Sequence, residues 1–112
     1  MKYSMFVGRW QPWHEGHRWL IDQRLKAEKK VLICIRDIPP DEANPFTSEE
    51  VYNNITAQLQ FYIKHSRVKL IVIPDIESIN YGRGVGYDII EHSPPEEIAE
   101  ISATRIRQDA KK

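Results

Sequence analysis

Residues 30–36 read KVLICIR. From Val31 to Ile35 the run is unbroken apolar, and three of these five residues are β-branched. A strand with one wet face alternates polar and apolar residues. An uninterrupted run of this kind, rich in β-branched side chains, reads instead as a parallel strand covered on both faces. Upstream, residues 16–29 (GHRWLIDQRLKAEK) place Leu20, Ile21 and Leu25 at helical spacing among charges, and residues 2–8 (KYSMFVG) form a short apolar segment closed by Gly8. Downstream, residues 37–45 (DIPPDEANP) carry the prolines and acids of a loop. Residues 47–65 then begin with Thr47 and Glu50 in capping-box spacing and continue with a stripe of Val51, Ile55, Leu59, Tyr62 and Ile63. A third near-continuous apolar run, RVKLIVIP, occupies residues 67–74. The order strand–helix–strand–helix–strand predicts an α/β fold, a doubly wound, Rossmann-like parallel sheet flanked by helices.

The chain has 112 residues, enough for one domain spanning 1–112. Sixteen basic residues balance sixteen acidic ones, which gives no general attraction to nucleic acid or an anionic membrane, and neither is expected as a partner. The first 37 residues hold eight Lys/Arg against four Asp/Glu, a balance that suits a local anion site. One cysteine, Cys34, lies inside the central apolar run and reads as an inert buried thiol. No stretch approaches transmembrane length and the first residues lack a signal-type apolar region, so the expected location is the cytoplasm.

After Pro74 the pattern weakens. Three glycines alternate in NYGRGVGY (80–87), YDII (87–90) has the makings of a short strand, and a Pro-Pro pair breaks the chain at 94–95. The last residues, ISATRIRQDAKK, offer Ser102 as the N-cap of a short basic helix. Trp19 is expected in the core.

In parallel α/β sheets ligands gather beyond the C-terminal strand ends. The loops after the three strands, each beginning at the last strand residues, are residues 8–17, 36–46 and 74–84, so all three are expected along one edge. The first, GRWQPWHEGH, holds His14 and His17 one turn apart at the start of the first helix. A pair of imidazoles at this spacing suits a shared metal, yet no Cys, third His or carboxylate stands beside it in the usual zinc spacings. A phosphate clamp fits better, because a helix N-terminus offers free N–H groups and the positive dipole end, and two imidazoles add donors. No protein metal site is therefore expected.

This segment resembles the G-R-[FW]-Q-P-x-H-x-G-H signature of the HxGH nucleotidyltransferase superfamily. ISATRIR resembles that family's second signature, and NPFT (44–47) is similar to the same element of archaeal-type nicotinamide-mononucleotide adenylyltransferases. The resemblance implies transfer of a nucleoside monophosphate, AMP from ATP, to a phosphorylated small molecule, with pyrophosphate released and no enzyme nucleophile. CTP as donor, or a nucleotide-binding module without turnover, are the alternatives. The resemblance further implies that His14 and His17 stabilise the transition state. Gly8, Arg9, Gln11 and Gly16 would line the nucleotide, Ser102, Thr104 and Arg107 would hold the outer phosphates, and Mg²⁺ would accompany the triphosphate. Arg36 and Arg83 are candidates for the acceptor. Archaeal-type relatives carry a full strand and helix between the third strand and the tail, which this chain must abbreviate. Homo-oligomers are common in the family.

Overall fold

The computed structural model describes residues 2–99. Three strands, β1 (Tyr3–Gly8), β2 (Lys30–Asp37) and β3 (Val68–Pro74), form a parallel sheet in the order β1-β2-β3. Phe6, Ile33 and Leu70 share one cross-sheet row. Helix α1 (Glu15–Leu25) connects the first two strands, and α2 (Ser48–Gln58) with α3 (Gln60–Lys64) connects the second and third. A last short helix, α4 (Glu96–Ala99), packs near α1.

The predicted run 30–36 is the central strand. Val31, Ile33 and Ile35, on one face of β2, are fully buried against Ile21 and Leu25 of α1 and Val51 and Ile55 of α2, with Leu59 beside them. These packed residues form a single core. Both crossovers advance across the sheet in the same direction, so their common handedness lays both helices on the same face. The parallel α/β architecture is as expected, and the described residues form its singly wound half. The opposite face carries Met5, Val7, Leu32, Cys34 and Ile71, none of which joins that core cluster. Met5 at the edge is 58% exposed.

The capping box at α2 forms as read: Thr47 Oγ1 accepts from the Glu50 N–H at 3.1 Å, and Glu50 Oε1 accepts from the Thr47 N–H at 3.1 Å. Three expectations need correction. The 47–65 helix is divided at Leu59, whose φ of −119° leaves the helical region while its side chain stays buried. YDII does not form a strand. Residues 87–90 are irregular and exposed, with Ile89 at 64%, because no neighbouring strand is offered to them among the described residues. Trp19 is half-buried and lies outside the core cluster.

Candidate functional site

Because all three strands run the same way, their C-terminal ends and the loops that follow share one edge. A cavity of about 280 Å³ opens there, lined by Arg9 after β1, by Arg36 and the 38–44 loop at and after β2, and by Asp75 after β3. The three loops predicted to meet do meet.

The first loop is built from the inside. Trp10 is 4% exposed, its indole N–H donates to the Cys34 carbonyl at 3.1 Å, and its ring lies against Gly8. A Cβ on Gly8 would stand 3.0 Å from Trp10 Cε2, so a larger residue there would have to push the indole by a few tenths of an ångström. Trp10 itself adopts φ +55°, which a side-chain-bearing residue holds only when packing compels it. Above the indole sits His17, edge-on at 4.9 Å between ring centroids.

His14 is the N-cap of α1 and His17 its N3 residue. His14 Nδ1 accepts the Gly16 N–H at 3.0 Å, and His17 Nδ1 accepts the His14 N–H at 3.3 Å. The pair is a capping box in which two imidazoles do what Ser/Thr and Glu/Gln ordinarily do. The arrangement fixes the tautomer. With both Nδ1 atoms accepting, each neutral ring carries its proton on Nε2 as a free donor. The rings stack at 3.7 Å with 20° between their planes, so two positive charges there would repel. Burial lowers the His14 pKa. Burial, and then the neighbouring His14, push His17 down to about 3. Both rings are thus neutral donors at pH 7.

This sets a pH dependence. Unfolded, His17 takes up a proton near its ordinary value of about 6.5, whereas folded it resists protonation down to about 3. Between those values unfolding binds a proton. Stability owed to this group is complete above pH 6.5 and falls as pH drops towards 3, by at most about 1.4 kcal/mol per pH unit. Urea midpoints at pH 7.5 and 4.5 are expected to fall further apart in the wild type than in His17→Gln. Equal differences would contradict a neutral buried imidazole.

The other predicted residues are placed as follows. The Gly16 N–H is spent on His14. Arg9 is exposed and makes no ion pair among the described residues. Arg36 is committed: it pairs with Asp75 at 2.7 Å and donates to the Ile76 carbonyl at 3.1 Å, tying the end of β2 to the chain after β3. Gln11 is 3% exposed, with both ends of its amide bonded to Phe46. Arg83 is exposed between glycines and does not line the cavity. His14 and His17 lie beyond the cavity lining, further along the loop that begins with Arg9. Ser102, Thr104 and Arg107 lie outside the described residues. Sequence reasoning missed the reciprocal cap, although His-x-x-His at a helix start occupies capping-box positions. The Gln11–Phe46 pairing joins residues 35 apart and left no local signal.

Among the described residues no three His, Cys, Asp or Glu side chains come together as a metal-binding group. No helix among them is long and apolar enough to cross a membrane.

The fold is that of a Rossmann-like α/β domain, and the relatives the chain matches are nucleotidyltransferases by name. The chain is similar to proteins named nicotinamide-nucleotide adenylyltransferase: 35% identical over 79 residues to that of Methanospirillum hungatei, covering 69% of this chain and 42% of the relative. With the Methanocorpusculum labreanum protein of the same name it shares 38% over 61 residues, covering 53% of this chain and 36% of that one. A nicotinamide/nicotinic acid mononucleotide adenylyltransferase of Acinetobacter baylyi is 30% identical over 76 residues, covering 66% and 40%. The chain thus spans less than half the length of the curated relatives it matches. No family model matches it.

Proposed function

We propose that the chain transfers AMP from ATP to a phosphorylated acceptor, nicotinamide mononucleotide first among them, and releases pyrophosphate. One observation carries this: two neutral imidazoles, locked to present Nε2–H, stand at the start of α1 on the loop that also brings Arg9 to the cavity. The names of the relatives favour ATP over CTP and a pyridine mononucleotide as acceptor.

The chemistry asks little of a reactive side chain. An oxygen of the acceptor's phosphate attacks the α-phosphorus of ATP, the bond from that phosphorus to the bridging oxygen breaks, and pyrophosphate leaves with the electron pair. Negative charge builds on the phosphoryl oxygens, so preorganised donors lower the barrier. His14 and His17 supply Nε2–H donors, and the N-terminus of α1 adds its dipole. Because the rings start neutral, they donate without a prior charge to desolvate, and a bound polyanion draws their pKa values upward. Arg9, exposed and without an ion pair among the described residues, adds a charge-assisted contact at the junction of triphosphate and cavity. Arg36 acts as a strut through Asp75 and shapes the acceptor side. Ser102, Thr104 and Arg107 complete the proposal at the outer phosphates.

Three carboxylates at this edge are engaged: Asp37 with Ser48, Asp41 with Asn44 and Asp75 with Arg36. Mg²⁺ is therefore proposed to arrive on the triphosphate, held by phosphate oxygens and water, where it would neutralise part of their charge.

The test supplies each of the four triphosphates with Mg²⁺ and a panel of phosphorylated acceptors, and follows pyrophosphate. Release is expected with ATP and a pyridine mononucleotide. Release only with CTP would move the donor assignment. Tight ATP binding without release across the panel would make the chain a binding module.

A further inference from the structure

We infer that Gln11 is a positioning residue that holds the β2–α2 loop at a set distance from the triphosphate loop, and is not a nucleotide contact. Its amide pairs with a single residue at two points. Gln11 Nε2 donates to the Phe46 carbonyl at 2.8 Å, and the Phe46 N–H donates to Gln11 Oε1 at 3.0 Å. The side chain behaves as a peptide unit would across a strand pair. At 3% exposure, the amide's remaining hydrogen-bonding capacity is closed to a ligand in solution.

What Gln11 holds is a stiff body. Within the loop, Asp41 N–H donates to the Asn44 carbonyl at 2.9 Å and Asp41 Oδ1 accepts the Asn44 N–H at 2.7 Å. The loop's ends are drawn together by Ser48, which donates to Asp37 at 2.9 Å. Phe46 packs against the core and directly precedes the capping Thr47. Gln11 itself lies between Arg9 and His14. The wall formed by Pro39, Pro40 and Asn44 is thereby set against the loop bearing Arg9 and the two imidazoles across the same cavity. A phosphorylated acceptor in the cavity must bring one oxygen in line with the α-phosphorus, and an error of about 1 Å in such an approach costs about 10²-fold in rate. Through these two hydrogen bonds Gln11 ties the two halves together.

The inference rests on the adenylyltransferase reading for its rate consequence, and its mechanical content is testable without turnover. Gln11→Glu keeps length and acceptor but sets a carboxylate oxygen against the Phe46 carbonyl. Gln11→Met keeps approximate volume and removes both bonds, and serves should the first variant fold poorly. Per folded molecule, kcat is expected to fall about 10²-fold, with the Kd for ATP·Mg²⁺ within about twofold of wild type, as positioning without contact requires. In hydrogen exchange, ATP·Mg²⁺ is expected to slow amides of both residues 9–17 and 38–47 in the wild type, and only the former in the variants. A large rise in Kd for ATP would make Gln11 a ligand contact and overturn the inference. So would unchanged kcat per folded molecule, or equal slowing of residues 38–47 in variant and wild type. A wild type that shows the coupled slowing but releases no pyrophosphate would sink the reaction reading and leave the positioning role supported.

Discussion

Replacing His17 with alanine is expected to lower pyrophosphate release about 10²–10³-fold, the loss typical of one preorganised donor at developing charge. The expectation follows from the tautomer. His17 Nδ1 is occupied by the His14 N–H, so the ring's only free polar group is Nε2–H, and at a pKa of about 3 it is a neutral donor in the unliganded protein. Alanine also removes the reciprocal cap and the edge-on contact with Trp10, so part of any effect could come from a frayed α1, where loss of a cap costs about 1 kcal/mol. His17→Gln separates the two. Glutamine at N3 of a capping box reaches back to the N-cap N–H as His17 does now, which preserves the helix start. Its amide NH2 is carried on a flexible chain and not on a rigid ring, so the donor is no longer preorganised where Nε2 stands. Stability near wild type with turnover still reduced at least 10²-fold is the expected result for this variant. Steady-state pyrophosphate release and urea denaturation on the same preparations check it, and wild-type turnover in His17→Gln would remove His17 from the chemistry.

The frame of this molecule was legible wherever a local pattern sufficed. The unbroken run at 31–35 marked the central strand, the Thr47–Glu50 spacing marked the start of α2, and three apolar segments in parallel brought three loops to one edge. What escaped depended on distance or on a choice among equivalent conformations. Leu59 leaves the helix with no glycine or proline to signal it. YDII has strand-forming residues but no strand beside it in the described chain, and β-propensity without a partner yields an exposed irregular segment. At the site, the histidines stood out by type and position. Their mutual capping is a hydrogen-bond fact that residue types alone permit but do not dictate. Arg36 was a candidate for an acceptor because strand ends line ligand clefts, and Asp75 answers its charge from across the sheet.

The second large effect is expected at Trp10, and its sign distinguishes a support from a stacking platform. Trp10→Ala is expected to destabilise the fold by about 3–5 kcal/mol, the range for emptying a buried aromatic site. Against the 5–15 kcal/mol that holds a domain of this size, that is a large share. The residue is 4% exposed within the core cluster, its N–H satisfies the buried Cys34 carbonyl, and its ring fills the space over Gly8 and under His17. Trp10→Phe keeps most of the apolar area and removes the indole hydrogen bond to that carbonyl, for an expected loss of about 0.5–1.5 kcal/mol. The backbone supplies a sharper check. At φ +55°, glycine is favoured over alanine by about 1 kcal/mol, so Trp10→Gly should be more stable than Trp10→Ala, the reverse of the usual order in regular structure. Urea midpoints of the three variants test the ranking. A ring stacked on an adenine would behave differently: its removal would weaken ATP binding and leave the midpoint nearly unmoved. Trp10 is buried against His17, so its loss is expected to reach the proposed chemistry by letting His17 sink into the vacated space.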